Sequence, residues 1–319
     1  MTTPEAAAPR VAIVGTGTIG RGWAALCASA GWHCALFDTD TMVADRAAGE
    51  IERRARALVA LGRAPAETVE QGLLRIRLGR SLLHTCSDAD WVIESVQEDL
   101  HAKQRLFENL GQVVRPEAII TSSSSGLPIS EIAAHTRHQP RCLVAHPLNP
   151  PELIPLVEVV PGKFTASPAV ETVREWLRAL NRIPIVLKRE VPGNAVGRIA
   201  AAVWRECIDL VLSGVMDVDD IDRAVSLGPG LGWAAAGPHL TYHLGAGDGG
   251  VKAFLEQLLV PFEAWWGSLA QWTKLEPEQV QALTGQIERA YGAKLDAIRE
   301  ARDRRLAALL QALERSRKT

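Results

Sequence analysis

The chain has 319 residues, 47% of them hydrophobic, and a formal net charge of −2. That length can bury sizeable cores, and a surface of mixed sign gives no electrostatic reason to expect nucleic acid or an anionic membrane as partner. No apolar run approaches the roughly 18 residues of a spanning helix, so no membrane partner is expected either. The N-terminal MTTPEAAAPR lacks both a basic stretch and an apolar core. Residues 1–9 are therefore expected to form a disordered tail and not a signal peptide. Cys27, Cys34, Cys86, Cys142 and Cys207 form no CxxC pair and no metal-ligand spacing. They read as free thiols of a cytoplasmic protein, and no metal site is expected.

The first half alternates short β-branched runs with helical patterns. Strands are predicted at 11–14, 34–37, 91–96, 118–122, 142–145, 156–160 and 184–187, and helices at 19–30, 45–61, 67–77, 100–113 and 169–180. This alternation predicts an α/β fold with a Rossmann-type, doubly wound, mostly parallel sheet. After Val191-Pro192-Gly193 strand-like runs nearly vanish and amphipathic helical patterns dominate, at 198–212, 217–225 and 276–313. The expected organisation is thus a dinucleotide-binding domain over 10–190 and an all-helical domain over 191–319. The helical domain, expected to serve substrate binding and dimerisation, has apolar faces to bury, which a homodimer built through it or packing on the first domain would cover.

Between the first predicted strand and helix lies Gly15-Thr16-Gly17-Thr18-Ile19-Gly20, a G-x-G-x-x-G run. In a strand–helix–strand setting Gly15 permits the tight turn, Gly17 lets a pyrophosphate approach the backbone, and Gly20 allows close helix–strand packing. Thr18 and Ile19 stand where the helix opens, and its free amides and partial positive charge suit phosphates. Asp38 ends the second strand, where a carboxylate accepts from adenosine ribose hydroxyls. Thr39 and Asp40 follow, with no Arg or Lys for a 2′-phosphate, so the expected cofactor is NAD. Farther along, AHPLNPPELIPLVEVV places His146 on a proline-rich turn and Glu158 in the strand after it. Such a carboxylate fixes an imidazole's tautomer and raises its proton affinity.

The motifs GTGTIGRGWAALCASAG, ESVQEDLHAKQRLF, TSSSSGLPIS, AHPLNPPELIPLVEVV, REVPG and GPGLGWAAAGPHLTYHL stand in the order found in one family. Over about residues 10–270 the chain resembles the 3-hydroxyacyl-CoA dehydrogenases, most nearly the short branch with L-carnitine 3-dehydrogenase and lambda-crystallin (L-gulonate 3-dehydrogenase). The resemblance implies NAD-dependent oxidation of a small 3-hydroxy acid, with His146 as base, Glu158 as its partner and Ser125 binding the reacting hydroxyl. Asn149 matches the asparagine that shapes the H-x-x-N-P turn. Glu98 and Lys103 match positions lining the nicotinamide half of the cofactor pocket, and Ser123 a polar position near the nicotinamide ribose. An L-carnitine-like substrate is favoured; L-gulonate, another 3-hydroxy acid, a CoA thioester and a non-catalytic dinucleotide-binding role stay open.

One position departs from the family. Where it has P-G-x-x-x-N-R, this chain has Pro192-Gly193-Asn194-Ala195-Val196-Gly197-Arg198, so glycine replaces an asparagine of the active site. Asn194 stands one helical turn earlier and is a candidate to reach the same region. Trp233, Tyr242, Trp265 and Trp266 are candidates for an aromatic wall facing a quaternary ammonium. Their other reading is core or interface anchors. His239 and His243 lie at i, i+4 without an acidic partner, which reads as structural.

Overall fold

The computed structural model describes residues 8–292 and 295–316, so residues 1–7 of the expected tail lie outside it. The chain divides into two compact units, the first ending at Arg198 and the second beginning at Ile199. The first carries one eight-stranded sheet: β1 (Val11–Val14), β2 (Cys34–Phe37), β3 (Ile76–Leu78), β4 (Trp91–Glu94), β5 (Ile119–Ser122), β6 (Cys142–Pro147), β7 (Leu156–Pro161) and β8 (Ile183–Val186). Their order is β3-β2-β1-β4-β5-β6-β7-β8. Every neighbouring pair is parallel except β6 and β7. The fold is therefore the expected Rossmann-type α/β unit followed by helices.

Helices of this unit are α1 (Thr18–Ser29), α2 (Thr41–Ala60), α3 (Ala66–Leu73), α4 (Leu82–Cys86), α5 (Leu100–Val113), α6 (Ile129–Ile132) and α7 (Ser167–Ala179). Alternation along the strands gives the sheet two buried faces. Val11, Ile13, Trp91 and Ile93 pack with Trp23, Ile51 and Val173, so α1, α2 and α7 cover one face. Ala12, Val14 and Val92 pack with Phe107, Leu110, Ile129 and Ile132, so α5 and α6 cover the other. Trp91 stacks on Trp176 at 5.4 Å and meets Trp23 edge-on at 5.9 Å. Four of the five free cysteines are buried, and burial pushes the thiols of Cys86 and Cys142 up to about 12.

Three local expectations change within the sheet and the helices that cover it. The helix predicted over 67–77 ends at Leu73, and Ile76–Leu78 instead extends the sheet beside β2. The helix predicted from 45 begins at Thr41, because Asp40 accepts from the amides of Met42 (2.9 Å) and Val43 (3.3 Å). Asp40 is thus an N-cap. The last change is at β6, which continues through His146 and Pro147.

A helix α8 (Asn194–Leu212) carries the chain from the first unit into the second, starting four residues before the predicted 198. The second unit continues with α9 (Val218–Leu227), α10 (Pro229–Ala236), α11 (Pro238–Leu244), α12 (Gly250–Ser268), α13 (Pro277–Tyr291) and α14 (Leu295–Ser316). The predicted 276–313 helix is two helices. Three helices open with proline, whose fixed φ suits the first helical position. No described helix is long and apolar enough to cross a membrane.

Candidate active site

Gly15 leaves β1 with φ +95, and a Cβ there would stand 2.6 Å from the Ser95 backbone. Only glycine lets the ends of β1 and β4 come so close. Gly20 is equally constrained, since its Cβ would lie 2.0 Å from the Gly15 carbonyl oxygen. Gly17 has the opposite environment: nothing lies within 4 Å of an added Cβ, so this stretch of backbone is open to approach. No described side chain caps α1. The amides of Thr18, Ile19 and Gly20 have no intrahelical acceptor, which leaves them for an anion. Asp38 Oδ2 accepts from the Thr16 amide (2.7 Å) and hydroxyl (3.0 Å), while Oδ1 accepts from the Asp40 amide (3.0 Å). The carboxylate is thereby fixed beside the loop with acceptor capacity left for a ribose hydroxyl. An open glycine, free first-turn amides and a held acid together fit NAD.

His146 and Glu158 are directly opposite residues of the antiparallel β6–β7 pair. Register, more than the turn, brings them together. His146 Nδ1 donates to Glu158 Oε2 at 2.8 Å, with the histidine 7% and the glutamate 0% exposed. A carboxylate only accepts, so Nδ1 holds the hydrogen and the neutral ring keeps its lone pair on Nε2. Glu158 Oε1 accepts from the amides of Ala195 (2.8 Å) and Val196 (2.9 Å), in the first turn of α8. The partial positive charge of that helix N-terminus thus faces the carboxylate.

The serine-rich turn after β5 rests on a buried ionic network. Lys103 Nζ donates to Glu94 Oε1 at 2.6 Å and to the Val96 carbonyl at 3.3 Å, and stands 3.4 Å from Glu98 Oε2. The Ser122 hydroxyl donates to Glu94 Oε2 at 2.5 Å. Burial raises the Glu94 carboxyl above its ordinary range, with Lys103, Ser122 and the Val96 amide pulling against it. Burial also pushes Glu98 up, but the Ser124 hydroxyl, Lys103 and the Gly126 amide outweigh it and hold that carboxyl low. Glu98 Oε1 accepts from the Ser124 hydroxyl (2.5 Å) and from the amides of Ser125 and Gly126 (both 3.1 Å). Lys103, at 1% exposure, therefore links Glu94 at the end of β4 to Glu98, which holds the serine turn. Ser123 bridges Trp23 Nε1 (3.1 Å) and the Ser95 hydroxyl (3.0 Å), tying the turn to α1 and to the end of β4.

Ser125 itself is exposed, and its carbonyl accepts from Asn194 Nδ2 at 3.3 Å. Asn149 is exposed in the turn after β6, with a cis peptide bond to Pro150. Arg182 holds that turn by donating to the carbonyls of Pro151, Glu152 and Ile154, and Arg54 pairs with Glu152 at 3.0 Å. Sequence reasoning missed Glu94, Ser122 and Ser124 as parts of the network. The only local signal for them was that they lie inside the ESVQEDLHAK and TSSSSG motifs.

In the second unit Tyr242 packs on Phe254 (5.1 Å) and Phe262 (5.8 Å), and Phe262 on Trp265 (4.9 Å) and Trp266 (5.7 Å). A cavity of about 700 Å³ is lined there by Tyr242, Phe254, Phe262 and Trp266, with His239 and His243. Trp233 and Trp265 are not in its lining. His243 Nδ1 accepts from the Val251 amide at 3.1 Å, in keeping with a structural histidine.

Residues 10–191 match the family model described as 3-hydroxyacyl-CoA dehydrogenase, NAD binding domain, and residues 193–283 match the C-terminal domain of the same family. An L-carnitine dehydrogenase of Nocardiopsis dassonvillei is 36% identical over 319 residues, covering 98% of this chain and 94% of the relative. A 3-hydroxyacyl-CoA dehydrogenase of Gibberella moniliformis is 34% identical, covering 96% and 95%. Among solved structures, 5-formyl-3-hydroxy-2-methylpyridine 4-carboxylic acid 5-dehydrogenase, an NAD+-dependent dismutase, superposes with a TM-score of 0.78 at 29% identity. It covers 96% of this chain and 99% of its own.

Proposed function

The chain belongs to the 3-hydroxyacyl-CoA dehydrogenase family and is an NAD-dependent oxidoreductase, and we propose that it oxidises the 3-hydroxyl of a small, L-carnitine-like 3-hydroxy acid. The observation that carries this reading is the in-register His146–Glu158 pair, with Nε2 left as the basic nitrogen and Glu158 held by two amides. His146 takes the hydroxyl proton, Glu158 stabilises the resulting imidazolium, and Ser125 orients the hydroxyl oxygen. When bound, NAD supplies the hydride acceptor for C3, so the products are the 3-keto acid, NADH and a protonated imidazole. Gly15, Gly17, Thr18, Ile19 and Gly20 are proposed to cradle the pyrophosphate and Asp38 the adenosine ribose. Glu98 and Ser123 would shape the nicotinamide side, and Asn149 the turn over the substrate.

L-Carnitine is favoured because relatives that span nearly the whole chain carry that name. We further propose a division into a cofactor domain over 10–190 and a helical substrate and dimerisation domain over 191–319. The second unit buries few apolar side chains, among them Ile208, Val211 and Ile221, while Trp204, Trp265 and Trp266 are each more than half exposed. A second copy of the chain would cover them. Free cysteines suit the cytoplasm as its place of work.

The deciding experiment mixes the protein with NAD and, in turn, L-carnitine, L-gulonate, 3-hydroxybutyrate and a 3-hydroxyacyl-CoA, following NADH absorbance. Fastest turnover on L-carnitine is expected. A faster thioester or sugar acid would replace the substrate, and no NADH from any of them would overturn the substrate class.

A further inference from the structure

Asn194 has a geometry that its place in a turn does not require. The chain passes Gly193 at φ +78 and Asn194 at φ +47, and the Asn194 amide closes the turn on the Val191 carbonyl at 3.0 Å. Left-handed backbone explains a glycine or an asparagine here. It does not explain where the side chain goes. Asn194 is 6% exposed, and its Nδ2 points at two successive carbonyls, Ser125 O at 3.3 Å and Ser124 O at 3.5 Å. Both distances are long for N–H···O bonds, so each contact is weak and the amide shares itself between them.

The value of the contact lies in what else holds the serine turn. Glu98 grips its amide side, through Ser125 N and Gly126 N. Asn194 grips its carbonyl side. The next two residues, Ala195 and Val196, give their amides to Glu158, the partner of His146. One helical turn, 194–196, therefore touches both the serine turn and the base's carboxylate. Three residues on, Gly197 has no side chain to offer, and nothing lies within 4 Å of a Cβ added there.

We propose that Asn194 is a positioning residue that fixes Ser125 relative to the His146–Glu158 pair, through its side-chain amide and not through its backbone conformation alone. The proposal rests on the reading of Ser125 as the group that orients the reacting hydroxyl. Its mechanism is geometric: a serine turn released on its carbonyl side keeps its amide anchor but loses the orientation on which the reaction depends.

The test compares Asn194→Gly, Asn194→Asp, Ser125→Ala and the double variant Asn194→Gly/Ser125→Ala, using the fastest substrate of the NAD panel. Asn194→Gly keeps the left-handed conformation and removes the amide. Asn194→Asp keeps the shape and turns a carboxylate oxygen toward the two carbonyls. Both should lower kcat about tenfold with the KM for NAD within about twofold, and the double variant should be no slower than Ser125→Ala. Hydrogen exchange, measured without substrate, should be faster in peptides covering 122–127 and unchanged around β1. Normal kcat in Asn194→Gly, or a double variant whose losses multiply, would overturn the positioning role while leaving Ser125 in place. Normal kcat in Ser125→Ala would instead remove the hydroxyl role itself, and the positioning role with it.

Discussion

Two carboxylates are wholly buried in the same sheet, Glu94 at the end of β4 and Glu158 in β7, and each accepts three hydrogen bonds. Glu94 is balanced by a permanent ammonium, with a serine hydroxyl and one amide as its other donors. Glu158 is balanced by an imidazole, with two amides of a helix N-terminus. Removing that cation would leave Glu94 as an uncompensated buried charge. Glu158 keeps two donors and a favourable dipole whether its partner is neutral or charged. The proposed role of His146 as base draws on that arrangement, because Glu158 keeps its two backbone donors through a proton transfer. The two pairs look alike in burial and distance, and the partner's chemistry separates their roles.

The largest effect should come from the histidine. His146→Gln removes the basic nitrogen and should lower kcat by roughly three to four orders of magnitude, with NAD affinity nearly intact in a fluorescence titration. Turnover within tenfold of the parent would end its assignment as base. Next comes the structural pair. Lys103→Met strands Glu94 in the core and should cost about 3–5 kcal/mol in denaturant unfolding, while adding Glu94→Gln should restore much of it. A Lys103→Met protein of full stability would erase the contrast between the two carboxylates.

Glu158→Gln sharpens the contrast from the other side. The α8 amides demand an oxygen, so the glutamine turns its NH2 toward Nδ1. That ring nitrogen must then accept, which moves the hydrogen to Nε2 and removes the base. A loss of about a hundredfold in kcat is expected, with the melting temperature changed far less than in Lys103→Met. Equal losses of stability in the two variants would mean that both carboxylates are structural.

How much of this was legible in the sequence follows from how local each signal is. The glycine loop is a contiguous pattern whose chemistry is written in six residues, and the structure leaves no room for a Cβ at Gly15 or Gly20 and open space at Gly17. His146 and Glu158 were legible as a pair, but their in-register pairing was not, since Pro147 read as a turn and the strand runs through it. The short edge strand Ile76–Leu78 was hidden in a helical pattern because three residues carry too little periodicity. Lys103 sits in a charged helix beside Asp99 and His101, and nothing local says that it folds back onto a strand residue nine positions earlier. Asn194 was legible only as one turn from Gly197. Its grip on the serine carbonyls needed coordinates.

Gly197 supplies the smallest effect. It lies inside α8, one residue past the two amides that hold Glu158, and a Cβ there has room. A glycine in a helix interior costs about 0.5–1 kcal/mol relative to alanine, through the freedom it loses on folding. Gly197→Ala should therefore raise stability by about that amount, read in denaturant unfolding. Its kcat should stay unchanged, because the Glu158 amides already stand at hydrogen-bond distance. Gly197→Asn adds an amide at the position where the family carries one. If Asn194 already holds the serine turn, that amide gains less than about twofold in kcat, since 0.4 kcal/mol is about the scale of a factor of two. A tenfold gain would show that the glycine, and not the Glu158 anchor, limits the reaction.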